Sequence, residues 1–423
     1  MTFQDSFCPS PWFHMRINPA GHYEFCRWAD KSNRDSGPNI KDVDPDDFFQ
    51  NYMQPVRQQL LNGEVLQGCK ECHLMEQHGK ISGRQRQLLK IGVRVDQFEK
   101  TLVSSPWIPI FTNNKFDQMP QDWQIDLGNY CNSACIFCEP AYSSRLATEW
   151  KRIGFIDQLP KAAWADNPVL VEKFLQTLKK TPTIKYLHFI GGETVITPAF
   201  KIILQALIDQ GLNKTATIGF TTNLISWDDE VVELLTQFQG INLGMSVETF
   251  TPVNDYIRWP SDLSTVLTTL DRWQTIATMH GWFMQFRTTP TVLSISNLLS
   301  VYDYALSHGI AVESCNFLQN PAFMRPSVLP QSYRNNIIAQ IRGWANKNRV
   351  EAKKIINTRH PDSASQQIVQ DIESYVNYLE QEPDQSHRLP DLIAFLKKLE
   401  VSRQNCIIDY LPEYENLFRS AGY

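Results

Sequence analysis

Cysteine is the residue type in this chain most able to do chemistry. Its nine copies lie at Cys8, Cys26, Cys69, Cys72, Cys131, Cys135, Cys138, Cys315 and Cys406. In Cys131-Asn-Ser-Ala-Cys135-Ile-Phe-Cys138, three thiolates share one short loop, so they can converge without a long loop-closure cost. Three thiolates can hold three irons of a cubane cluster and leave the fourth without a protein ligand. Such an open position is what a reactive metal centre needs. The alternatives are a zinc knuckle or cysteines used as small buried residues. Zinc would want a nearby fourth ligand, and no His lies in this loop. Cys8, Cys26, Cys69 and Cys72 form a second group. Their four thiolates would satisfy either zinc or a fully ligated four-iron cluster. The odd total in a chain that does not open on a secretory leader argues against a disulfide framework. His73 and His78 read as ordinary helix residues, and Cys315 and Cys406 as small buried ones.

The elements that must position these groups fall into three regions. Residues 1–115 read as a loop-rich, core-poor segment punctuated by proline and glycine. It holds a hairpin at Phe13–Cys26 and a helix running from near Cys69 toward Val93. Residues 116–325 alternate short apolar runs with amphipathic stretches. Strands are expected at Trp123–Leu127, Ile184–Ile190, Ala216–Thr221, Ile241–Val247, Trp282–Thr289 and Ala311–Phe317. Helices are expected at Val169–Lys179, Pro198–Gln210, Trp227–Phe238, Leu263–His280 and Ile295–His308. Six strands alternating with helices predict an α/β fold with a parallel sheet, open or partly closed into a barrel, whose site lies at the strands' carboxyl ends. Residues 326–423 read as a helical extension: Gln331–Lys347, Ser365–Glu380 and Pro390–Leu399.

The motifs meet that rule. The cysteine loop follows the first strand, and Gly191-Gly192-Glu193 ends the second. Paired glycines permit close backbone approach to a ligand, and Glu193 offers an acceptor for an ammonium group. Composition bounds the rest. Of 423 residues 42% are hydrophobic, enough for a substantial core, and the formal net charge of −5 disfavours a general nucleic-acid binder. The basic run Lys80, Arg84, Arg86, Lys90 and Arg94 reads as a solvated helix face, or else as an anion-binding surface. No apolar run reaches ~18 residues, so no membrane span is expected. The opening MTFQDSFCPSPW carries no leader pattern, which predicts a cytoplasmic protein.

Cys-x-x-x-Cys-x-aromatic-Cys after the first strand of an α/β domain resembles the radical S-adenosylmethionine (radical SAM) superfamily. The resemblance covers about 121–320 and implies a partial (β/α)6 TIM-type barrel. It implies that Cys131, Cys135 and Cys138 hold a 4Fe-4S cluster whose open iron chelates SAM. Reductive cleavage of SAM there yields a 5′-deoxyadenosyl radical that abstracts hydrogen from a substrate. By the same resemblance Phe137 lies beside the adenine, and Gly191, Gly192 and Glu193 meet the SAM amino group. Thr221-Thr222-Asn223 is similar to the family's T-N-G segment, with Leu224 in place of glycine, and makes Asn223 a cofactor-binding candidate. Met245-Ser246-Val247-Glu248 is similar to its S-I-D-G segment. Ser246 would then bond the SAM carboxylate or ribose. Asp255-Tyr-Ile-Arg258 matches a frequent stretch in which arginine pairs with a carboxylate; a surface salt bridge is the equal alternative.

The hairpin ending Gly-x-x-x-x-Cys26, with Cys8 and the Cys69–Cys72 pair, resembles the SPASM and twitch modules. These bind auxiliary iron–sulfur clusters and usually follow the barrel rather than precede it. Four cysteines imply one auxiliary 4Fe-4S cluster, as in twitch. The expected function is a radical SAM enzyme acting on a peptide or protein side chain. A small metabolite (sugar, aminocyclitol or nucleotide) is the alternative substrate, and a non-catalytic zinc-binding protein the alternative class. The implied partners are that substrate and an electron donor such as flavodoxin or ferredoxin.

Overall fold

The computed structural model describes residues 3–27, 37–112, 119–314, 317–352 and 368–423, and Cys315 lies outside them. Its centre is an eight-stranded sheet in the order β2-β1-β3-β4-β5-β6-β7-β8. The strands are β1 His14–Ile17, β2 Tyr23–Glu24, β3 Asp122–Asp126, β4 Tyr186–Ile190, β5 Thr217–Thr222, β6 Gly240–Ser246, β7 Phe283–Thr288 and β8 Ala311–Ser314. Among the described residues the β1–β2 hairpin is the antiparallel strand pair, and the other strand pairs are parallel. The strands lie where period-two alternation places them. Trp123, Ile125, Leu187, Phe189, Ile218, Phe220, Leu243 and Met245 are all buried in the main hydrophobic core. The alternate set, including Asp126, His188, Gly219, Gly244 and Arg287, occupies the other face. His188 of β4 meets Arg287 of β7 at 3.3 Å across two intervening strands, so the sheet curves around this polar face.

The helices include α1 Lys70–Gln77, α2 Gly83–Lys90, α3 Ser144–Arg152, α4 Pro168–Lys179, α5 Pro198–Asp209, α6 Asp229–Thr236, α7 Leu263–His280, α8 Leu299–His308, α9 Gln331–Ala352, α10 Ile368–Gln381 and α11 Leu389–Arg403; α3–α8 connect the parallel strands from β3 to β8, and α9–α11 follow β8. Helix α7 has the expected bounds because both end signals are local. The Asp262 side chain accepts from the N–H groups of Ser264 and Thr265, and Gly281 closes the helix at φ 66°. Among the described residues no helix is long and apolar enough to cross a membrane.

The amino-terminal segment departs from expectation in two ways. It is mostly helical, and it has its own small core of Phe7, Trp12, Leu60, Leu88, Val93 and Phe111. The single helix expected from Cys69 to Val93 is two helices. Gly79 at φ 75° ends the first, and Ser82 with Gln85 forms a reciprocal capping box that starts the second. The segment is joined to the barrel sheet through β1, which pairs in parallel with β3.

The solvated-face reading of the basic run fits Lys90 and Arg94, which are exposed, but not the buried Lys80 and Arg84, and all five cations are engaged in ion pairs. Lys80 pairs with Asp371, Arg84 with Glu76, Arg86 with Glu313, Lys90 with Asp122 and Arg94 with Asp96. Three of these acids lie on other elements: β3, β8 and α10. The run therefore stitches the amino-terminal segment to the sheet and to the carboxy-terminal helices. The amide of Asn377 on α10, donating to the His78 carbonyl at 3.1 Å, adds to the same seam.

Candidate active site

The cysteine loop is fastened on two sides. The Ala134 and Ile136 N–H groups donate to the carbonyls of Trp259 (2.7 Å) and Ile257 (2.9 Å). The Ser133 hydroxyl lies 3.1 Å from both the Cys135 sulfur and the Arg258 carbonyl. Burial, then the neighbouring Cys135, pushes the Cys131 thiol up to about 12. Burial raises Cys138 as well, ahead of the effects of Cys135 and Cys131. Thiols so placed become thiolates when cationic metal supplies the compensating charge. The donor set fits an iron–sulfur cluster with one open position.

The Gly191-Gly192-Glu193 turn packs directly against the backbone that enters this loop. Gly191 has φ 103° and Gly192 φ 55°. A Cβ on Gly192 would lie 2.1 Å from the Tyr130 carbonyl oxygen, and one on Gly191 2.7 Å from that of Gly128. That Tyr130 oxygen also accepts the Glu193 N–H at 2.8 Å. The Glu193 carboxylate is held from two strand ends, accepting the N–H groups of Asn223 (2.6 Å) and Val195 (3.3 Å). Burial still pushes its carboxyl up to about 7. An ammonium group beside it would favour the ionised form.

Asn223 works through its neighbours. Its backbone fixes Glu193, and its side-chain amide donates to Asn132 in the cysteine loop at 2.8 Å. Leu224 carries a left-handed φ of 63°, which a glycine would adopt freely. For leucine this conformation costs about 1–2 kcal/mol. Its side chain is fully buried in the main core, which offsets that cost.

Arg258 is buried, so the surface salt bridge is excluded. Its Nη1 donates to Glu248 at 2.7 Å, and Glu248 also accepts the Thr289 N–H at 2.7 Å. Its carboxylate partner is thus internal. The Nε of Arg258 remains buried without a hydrogen-bond partner. Burial alone would lower the Arg258 pKa, but Cys135 and Glu248 outweigh it and hold the guanidinium above its ordinary value.

These residues converge. Every one assigned on sequence grounds to the open cluster and its cofactor lines a single cavity of about 260 Å³: Cys131, Cys135, Cys138, Phe137, Gly191, Gly192, Glu193, Asn223, Ser246 and Arg258. Sequence reading missed Tyr142, Arg287 and Thr289, which line it too. Alternation along β7 was the available signal for Arg287. Gly244 on β6 leaves room for that side chain, since a Cβ there would lie 2.8 Å from its Nε.

The second cysteine group also comes together. Cys8, Cys26, Cys69 and Cys72 line one smaller cavity with Phe25 and Arg84. Cys69 caps α1 and Cys72 lies in its first turn, where the helix dipole favours thiolates. Burial and then neighbouring thiols push Cys69 and Cys72 up to about 12, and Cys8 is raised for the same reasons. Neither His73 nor His78 lines the cavity. His78 instead packs edge-on to Phe317 and Tyr378. Among the described residues, no three His, Cys, Asp or Glu side chains are gathered tightly enough to hold a single metal ion.

The carboxy-terminal helices brace the cysteine loop. The buried Arg403 at the end of α11 forks onto Glu149 of α3, with contacts of 2.6 and 3.0 Å. It also donates to the Ala134 carbonyl inside the loop at 2.8 Å. Arg403→Ala leaves Glu149 buried without its counter-charge, a change of about 3–5 kcal/mol. Its urea midpoint should fall accordingly, with Arg403→Lys recovering part of the loss. An unchanged midpoint would show that the brace contributes nothing to stability.

Residues 125–276 match the family described as the Radical SAM superfamily. Similar solved structures include Streptococcus suis SuiB (14% identity, 54% of this chain and 47% of that one, TM-score 0.35). SuiB bound to precursor peptide SuiA is similar at 13% identity, with 54% and 47% covered and a TM-score of 0.37. Native anSMEcpe with bound AdoMet is similar at 13% identity, with 54% and 60% covered and a TM-score of 0.40. The chain spans about half the length of the SuiB structures it matches. No curated protein matches it.

Proposed function

We propose, from the radical SAM match at residues 125–276, that this chain is an enzyme using SAM to abstract hydrogen from its substrate. The observation that carries the reading is the convergence of the three-cysteine loop, the Gly191-Gly192-Glu193 turn, Ser246 and Arg258 on one cavity. A 4Fe-4S cluster with SAM bound there supplies a 5′-deoxyadenosyl radical. The chain's own groups do the positioning. Cys131, Cys135 and Cys138 hold the cluster. Gly191 and Gly192 leave room for the cofactor, and Glu193 accepts its ammonium. Ser246 and Arg258, whose Nε has no hydrogen-bond partner, both line the cavity and would donate to its carboxylate. Phe137 offers the aromatic wall for adenine.

The reading extends to a second cluster held by Cys8, Cys26, Cys69 and Cys72, in a twitch-like module ahead of the barrel. It supports electron transfer to or from the substrate radical. The substrate proposed is a peptide or protein side chain, with a small metabolite as the alternative. A short precursor peptide encoded beside this chain, modified in its presence, supports the first.

Anaerobic reconstitution followed by metal analysis tests the class. About eight irons per chain and 5′-deoxyadenosine formation under dithionite are expected. Two zincs and no nucleoside would replace the reading with a zinc-binding protein. Cys69→Ala should remove about half of the iron while leaving uncoupled SAM cleavage intact. Full iron in that variant would remove Cys69 from the ligand set.

A further inference from the structure

Cys131 lines two cavities. One is the proposed SAM cavity; the other is a wide-open surface groove of about 400 Å³ whose other lining residues are not those of the SAM cavity. The groove is also lined by Arg145, Arg152 and Trp259. Arg145 stacks over the Trp259 ring at 4.8 Å and donates to the Asn132 carbonyl at 3.4 Å. Arg152 reaches only the Ser402 hydroxyl. Both arginines are exposed, as is Lys151 beside them. Neither arginine has a carboxylate partner among the described residues, whereas each cation of the 80–94 run has one. Glu149, the acid that lines the groove, is taken up by Arg403.

We infer that this groove is where an acidic one-electron donor protein docks, an inference that rests on the radical SAM reading. A donor must approach the cluster from a face that SAM and substrate leave free, and Cys131 is the ligand that reaches such a face. The charge pattern agrees. The chain carries a net −5, so an acidic partner is repelled overall and needs a local unneutralised basic patch to set its approach. Arg145, Lys151 and Arg152 supply it. In the step served, the donor loses one electron and the cluster gains one; no atom is transferred. Trp259, held between Arg145 at 4.8 Å and Arg403 at 5.1 Å, gives the contact an aromatic centre.

The test uses the full reconstituted chain and flavodoxin, an acidic flavoprotein, as probe. Oxidised flavodoxin is titrated against wild type and an Arg145→Glu/Arg152→Glu variant from low to high salt. Reduction by reduced flavodoxin is then timed beside reduction by dithionite. At low salt the variant should bind flavodoxin and accept its electron at least about tenfold more weakly and slowly, with a flattened salt dependence. Dithionite reduction and dithionite-driven 5′-deoxyadenosine formation should match wild type, which also shows the variant to be folded. Arg152→Glu alone, which leaves the Arg145–Trp259 stack in place, should show part of the loss. Equal affinity, rate and salt dependence in wild type and variants would overturn the docking site. Absence of dithionite-driven cleavage in wild type would instead overturn the radical SAM reading beneath it.

Discussion

Cys135→Ala should yield no 5′-deoxyadenosine under dithionite, at any SAM concentration. Cys135 is the central and most buried thiol of its loop, and its sulfur lies 3.1 Å from a hydroxyl anchored on the Arg258 carbonyl. Its removal leaves Cys131 and Cys138, two ligands where the cluster needs three. The effect should be confined to one centre. Iron should fall by about half, mirroring Cys69→Ala, whose cleavage activity should survive. Product formation by Cys135→Ala would remove the loop from the catalytic role.

Gly192→Ala should weaken SAM binding on the order of 100-fold, two tenfold steps of 1.4 kcal/mol each. The Cβ would meet backbone, with the Tyr130 carbonyl oxygen at 2.1 Å and its carbon at 2.6 Å, and no flexible side chain is there to yield. The turn must move away, and the 2.8 Å bond from the Glu193 N–H to that oxygen goes with it. The acceptor for the SAM ammonium is then misplaced. Gly154→Ala is the control: its φ of 77° imposes similar backbone strain, but nothing lies within 4 Å of the added carbon. Equilibrium dialysis with labelled SAM checks the pair. Equal affinity in Gly192→Ala and Gly154→Ala would mean that the turn does not approach the cofactor.

Much of the barrel could be read in advance because its signals are local. Period-two apolar alternation marks strands β3 to β7 to within two residues and the start of β8, and Asp262 with Gly281 brackets α7. The amino-terminal segment was harder, since its prolines and glycines look like loop punctuation. There they start and stop short helices around aromatic residues that pack only in three dimensions. The basic run shows the same limit. Its acids Asp122, Glu313 and Asp371 are distant in sequence, so no spacing rule pairs them. Short α3 and the role of Arg403 were hidden for that reason too. For Arg258, the sequence suggested a carboxylate partner without showing that Glu248 already provides one.

At the candidate site, legibility followed the backbone. Gly191, Gly192 and the cysteines sit where strand ends must place them, and the cavity gathers all of them. Arg287 belongs to no motif, and its place in the cavity depends on the curvature of the sheet that brings it to His188.

In the proposed function the Cys131–Cys138 loop holds a cluster whose open position takes SAM. Electron paramagnetic resonance of the dithionite-reduced, reconstituted Cys69→Ala protein, recorded with and without SAM, tests it with the second centre removed. The expected result is a reduced iron–sulfur signal whose g-values shift when SAM is added. A signal identical with and without SAM, or no iron–sulfur signal at all, would contradict it.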